Sequence, residues 1–175
     1  PSFPYGGMEN PTLTFLTPTF IAGDKSLVGL VAHELAHSWS GNLVTNATWA
    51  DSWLNEGVTS YFENRIVEAL YGPRRAAQEA ALSFDDMQAA IAENGATAAV
   101  TRLRLPSGED APDGGAGGIV YDKGAGFLRT MEHSVGRERW DAYLRSWFDR
   151  HAFQPATSAM FVADLRANLV RGDAD

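Results

Sequence analysis

Residues 26–40, SLVGLVAHELAHSWS, carry apolar side chains on nearly every side of a 3.6-residue period. The pattern predicts a helix buried all round, closed by Gly41. Three ionisable residues interrupt it: His33, Glu34 and His37. The stretch ADSWLNEGVTSYFENRIVEALYG predicts a second helix, with Asp51 or Ser52 as its N-cap and Gly72 as its C-terminal stop. Pro73 opens a third, alanine-rich helix that runs to about Asn94. Between Gly95 and Gly118 the periodicity fails, and LPSGEDAPDGGAGG is loop chemistry. Three shorter helices are predicted at about residues 121–135, 138–150 and 157–170. Ahead of the first helix, LTFLTPTFIAG mixes β-branched and aromatic residues with Pro18, which suits strand and turn. No internal repeat occurs. The sum is an α+β fold, mostly α-helical, with a small β portion at the N-terminal end.

Composition narrows the function. At 175 residues the chain suffices for one domain with its own core, residues 1–175. Acidic residues outnumber basic ones 22 to 14, a net charge of −8, which argues against a nucleic-acid partner, since that needs a basic face. There is no cysteine, so a metal would be held by His, Asp or Glu. No apolar run reaches the roughly 18 residues of a helical membrane span. The chain opens on PSFPYGG, with neither Met nor a signal-peptide pattern, and is expected to be a piece of a longer protein. The compartment is not fixed by these residues; the cytoplasm is favoured over the periplasm or secretion.

The interrupted helix carries the chemistry. Residues four apart project from one helical face, so His33 and His37 can both present imidazole nitrogens to one ion. Glu34 lies about 100° further round, beside the ion and near a bound water. HExxH on a helix thus supplies two ligands and a general base. The competing reading is three buried polar residues in ordinary hydrogen bonds; an apolar helix requires partners or an ion to offset their desolvation. A third ligand must come from elsewhere. Glu56, in WLNEG, follows His37 after 18 intervening residues, enough for a loop and an antiparallel return helix. Glu63, seven residues on, lies on the same face and could hold a ligand imidazole by its second nitrogen. The competing reading of Glu63 is a surface salt bridge.

HELAH followed at this distance by NEG resembles the gluzincin zinc peptidases. GGMEN at residues 6–10 narrows the resemblance to the M1 aminopeptidases. With HELAHSWSGNLVTN, WLNEG and VYDKG it is most similar to their leukotriene A4 hydrolase branch. The resemblance implies a thermolysin-like zinc peptidase catalytic domain, flanked in the family by an N-terminal β domain and a C-terminal helical domain. It implies one Zn²⁺ per chain held by His33, His37 and Glu56, with Glu34 as general base and acid. Glu9 matches the glutamate that binds the substrate's free α-ammonium. Gly6, Gly7 and Met8 are assigned to substrate binding, the glycines as backbone lying along the peptide. Tyr121 matches the tyrosine that stabilises the transition state. The implied activity is hydrolysis of the N-terminal bond of peptides with a free N-terminus. Some members of this branch also open a lipid epoxide; Asp113 could serve that reaction, but Ala116 stands where a second tyrosine belongs, so epoxide hydrolysis is not expected.

Weaker signals remain. GGAGG lacks the spacing of a phosphate loop and is expected to be a mobile segment near the active site. Asn46 opens a glycosylation sequon. His133 and His151 are expected on solvated helix faces. Tyr5 is a candidate for the first side-chain pocket, with plain packing as its rival reading.

Overall fold

The structure, a computed structural model, describes residues 3–106 and 118–170. The chain begins with two short antiparallel strands, β1 (Gly7–Met8) and β2 (Phe15–Leu16), paired Gly7 to Leu16 and Met8 to Phe15. Helix α1 (Val28–Ala36) follows, then β3 (Val44–Asn46) and a 3₁₀ segment at Trp49–Leu54. The helices α2 (Glu56–Tyr71) and α3 (Pro73–Asn94) form a hairpin around Gly72, whose φ of +86° turns the chain where other residues would strain. Helices α4 (Ile119–Val135) and α5 (Arg137–His151), strand β4 (Gln154–Ala156) and α6 (Ser158–Asn168) complete the order.

The fold is mostly helical, as the periodicity predicts, and α2 is its centre. It packs on α1, α3 and α4. The core gathers Trp53, Tyr61, Leu128, Trp140, Trp147 and Phe161. One polar network crosses it. Arg65 of α2 makes a two-pronged bond to Asp141 of α5 at 2.8 and 2.9 Å and donates to the Tyr61 hydroxyl at 2.7 Å. Tyr61 in turn donates to Glu132 of α4 at 2.7 Å. Three helices are thereby pinned at fixed rotation as well as fixed distance.

Several expectations need correction. Helix α1 is shorter than residues 26–40 and is not buried all round: Leu35 is 56 % and Trp39 51 % exposed. Its buried residues are Ala32, Glu34 and Ala36, and Leu35 faces outward. Beyond Ala36 the backbone tightens into turns because Ser40 is pulled inward, its hydroxyl donating to the carbonyls of Leu54 and Asn55. The second helix does not start at Asp51 or Ser52. Asp51 is fully buried and accepts bonds from the Ser158 amide and hydroxyl at 3.0 and 2.7 Å and from Thr48 at 2.8 Å, so it secures the start of α6 instead of capping α2. Strand is not confined to the N-terminal end, since β3 and β4 pair in parallel, Val44 to Gln154 through Asn46 to Ala156. His133 is exposed as expected, but His151 is not a solvated residue. Its ring lies 3.9 Å from that of Trp147 and its Nε2 is 3.4 Å from Asp164.

Candidate metal centre

Helices α1 and α2 bring the predicted ligands together. His33 and His37 sit one turn apart on α1, and α2 begins with Glu56 pointing back at both. The Nε2 atoms of His33 and His37 lie 3.3 and 3.4 Å from the same oxygen, Oε2 of Glu56. The edge of a tetrahedron with the 2.0–2.1 Å bonds of zinc is about 3.3 Å. These residues therefore fit a zinc ion, with donor atoms all within 4.8 Å of one another.

The opposite nitrogens are occupied. Nδ1 of His33 is 3.0 Å from Glu63 Oε2, and Nδ1 of His37 is 2.8 Å from the Ser40 carbonyl and 3.1 Å from the Thr59 hydroxyl. A carboxylate and a carbonyl accept from N–H, so the network assigns a proton of each ring to Nδ1 and turns Nε2 toward Glu56, where it donates while protonated and can ligate an ion once deprotonated. Glu63 thus bonds the ring of His33. Burial disfavours the charged form of His33, but bonds to Glu56 and Glu63 outweigh it and raise its pKa to about 9. His37 shifts upward for the same balance of burial and Glu56. Burial alone would raise Glu56, yet the two imidazoles pull it down to about 2.

Glu34 projects from α1 at 6 % exposure, and its Oε2 has no hydrogen-bond partner among the described residues. Burial raises its pKa against the opposing pull of His33 and His37. Carboxylate oxygens of Glu9 and Glu34 and a nitrogen of His37 also fall within 4.8 Å of one another. That set has a single imidazole, so it describes where Glu9 and Glu34 stand relative to the centre more than a second centre. Glu9 is held by Asn42, whose amide donates to its carbonyl at 2.9 Å, and by Asn55, whose amide is 3.5 Å from its carboxylate. Strand β1 passes so close to Glu34 that a Cβ on Gly7 would lie 2.1 Å from its Oε1. Glycine is the residue this approach permits.

Tyr121, in the first turn of α4, stacks on His33 with ring centres 5.8 Å apart. Its hydroxyl is pushed well above its ordinary pKa, first by burial and then by the charge and hydrogen bond of Glu56 and the charges of Glu9 and Glu34. His33, Glu34, His37, Glu56, Glu9 and Tyr121 all line one cleft of about 880 Å³. Gly6, Gly7, Met8 and Glu9 form one wall, with Tyr5, 63 % exposed, beside them. Ser83, Phe84 and Met87 of α3 form the far wall. Asp113, Ala116 and all of GGAGG but Gly118 lie outside the described residues.

Thr59, Asn42, Asn55 and the Ser40 carbonyl are site groups that the sequence reading does not name. Thr59 carries a signal: it shares one face of α2 with Glu56 and Glu63, both of which the sequence singles out. The Ser40 carbonyl carries none, because a backbone acceptor has no residue type.

A sequence profile of the peptidase family M1 domain matches residues 1–171. Over 169 residues the chain is 40 % identical to leucine aminopeptidase 2 of Yarrowia lipolytica, covering 93 % of this chain and 26 % of that protein. It is 40 % identical over 176 residues to a leukotriene A-4 hydrolase homolog of Botryotinia fuckeliana, covering 96 % and 27 %. The structure superposes on native leukotriene A4 hydrolase of Saccharomyces cerevisiae with a TM-score of 0.89 at 37 % identity, covering 97 % of this chain and 27 % of that one. The chain thus spans about a quarter of the length of these relatives.

Proposed function

The chain belongs to peptidase family M1, and on that premise we propose that its protein is a zinc aminopeptidase that removes residues from the N-terminus of peptides. The observation that carries this reading is the convergence of the Nε2 atoms of two imidazoles on Glu56 beside a buried carboxylate, Glu34, with an unbonded oxygen. His33, His37 and Glu56 would hold the zinc ion, which when bound acidifies water and polarises a carbonyl. Glu34 takes the proton of the attacking water and returns it to the leaving amine. Its raised pKa suits a group that must both accept and donate. Tyr121 keeps its proton, because its pKa is raised, and can donate to the carbonyl oxygen as negative charge grows there.

Selectivity for chain ends follows from Glu9. Its carboxylate and that of Glu34 approach within 4.8 Å. A peptide held by its α-ammonium at Glu9 brings its first carbonyl, and no later one, to Glu34. Gly6, Gly7 and Met8 would line the bound backbone, and Tyr5 the first side chain. The activity is that of the whole protein, in which further domains are proposed to complete the cleft.

Two substitutions test the assignment. Glu34→Gln should lower turnover of an aminoacyl anilide roughly 10²–10⁴-fold with zinc still bound. Tyr121→Phe should lower it on the order of 10²–10³-fold, again with zinc retained. Normal turnover in Glu34→Gln would remove the general base and with it the proposed reaction.

A further inference from the structure

The helices that carry Glu56 and Tyr121 meet backbone to backbone. Gly57 follows Glu56 directly, and Gly124 lies about one turn beyond Tyr121. A Cβ on Gly57 would lie 2.6 Å from the Val120 carbonyl oxygen and 2.7 Å from the Gly124 Cα. A Cβ on Gly124 would lie 2.7 Å from the Gly57 Cα. Both glycines are buried in ordinary helical conformation, so the contact demands glycine and the backbone angles do not. Gly126, on the same helix, faces open space at its Cβ position. Carbon atoms rest about 3.5–4.0 Å apart, so a methyl group at either contact glycine would drive α2 and α4 apart by roughly 1 Å.

That displacement would not be shared evenly. Helix α1 and the turns after it are tied to α2 and the segment before it, by His33 with Glu63, His37 with Thr59, and Ser40 with the Leu54 and Asn55 carbonyls. The three candidate ligands therefore move as one body. Tyr121 rides on α4, and its ring lies against that body by its stacking on His33.

We propose that Gly57 and Gly124 are positioning residues whose backbone contact sets the distance of the Tyr121 hydroxyl from the metal centre. The proposal rests on the role given to Tyr121 above. A group misplaced by about 1 Å can lose roughly 10²-fold in rate, so the contact is a tolerance of the reaction and not only of packing.

The test is a double-mutant cycle in the intact protein, read by kcat, KM, zinc dissociation constant and helical circular dichroism. Gly124→Ala should lower kcat on the order of 10²-fold, with KM and zinc affinity within about threefold of wild type. Made on top of Tyr121→Phe, it should cost less than about threefold more, because the hydroxyl it displaces is already gone. Gly57→Ala, meeting the same contact from α2, should behave alike. An equal loss in both backgrounds, no loss at all, or collapse of zinc binding or helical signal in both alanine variants would overturn the proposal by making the contact purely structural. Wild-type turnover in Tyr121→Phe alone would instead show that the reading of Tyr121 had failed.

Discussion

Glu34 is a carboxylate at 6 % exposure with one oxygen unbonded, an arrangement that costs free energy unless something in the fold holds it there. The attraction of His33 and His37 offsets part of that cost, and β1 closes the remaining space, since no side chain fits at Gly7. Gly7→Ala should therefore displace Glu34 and lower kcat on the order of 10²-fold while zinc content is unchanged; metal analysis beside steady-state kinetics checks this. Glu63→Gln tests the outer shell. It should weaken zinc binding roughly 10–100-fold, measured by competition with a chromophoric chelator, because the bond that fixes the His33 ring loses its charge. At this scale the sequence was most legible where residue type and spacing coincide. His33, His37, Glu56 and Glu63 follow from helical periodicity, and the structure brings all four together. Glu9 is different: it follows the two-residue strand β1 with no neighbouring pattern, and only the resemblance carried by GGMEN singles it out. Asn42 and Asn55 were illegible because an amide that holds a carboxylate looks like any loop asparagine.

Helix starts and stops show where local signals prevail. Pro73 and Gly72 set the α2–α3 junction as predicted, because proline and glycine act through their own backbone. Asp51 misleads for the opposite reason. A carboxylate can cap any helix within reach, and tertiary structure delivers this one to α6. Burial works against its charge, but bonds from Ser158 and Thr48 and the charge of Arg104 keep its pKa below the ordinary value. Asp51→Ala should cost about 2–4 kcal/mol in chemical denaturation, since it leaves the Ser158 amide and the Thr48 hydroxyl without their acceptor. Its stabilising effect is present above the ordinary carboxylate pKa and is lost as pH falls through the lowered one. The short β3–β4 pairing had no counterpart in the pattern. Three-residue strands from distant parts of the chain carry too few positions for alternation to register.

For the whole molecule, the site couples folding to metal and to pH. In the metal-free protein, the pKa of His33 rises from 6.5 to about 9, so its contribution to stability is complete below 6.5 and is lost as pH rises through 9. Glu56 falls from 4.5 to about 2, so its contribution is complete above 4.5 and is lost as pH drops through 2. Zinc requires the deprotonated ligands and is bound more tightly as pH rises. Between pH 6.5 and 9 the melting temperature of the chelator-treated protein should therefore fall relative to that of the zinc-loaded protein, a divergence that parallel thermal melts would reveal. The exposed Leu35 and Trp39 belong to the same scale. The apolar pattern of α1 gives no indication of which of its sides this chain itself covers, and the chain spans about a quarter of its relatives' length. The proposed reaction is cleavage at free N-termini by a zinc centre at His33, His37 and Glu56. The most direct measurement is zinc content alongside release of N-terminal residues from a peptide and from its Nα-acetylated form, before and after chelation. A zinc aminopeptidase should show about one zinc per chain, release from the free peptide alone, loss on chelation and recovery on adding zinc. Release that persists in the metal-free protein, or equal release from the acetylated peptide, would contradict it.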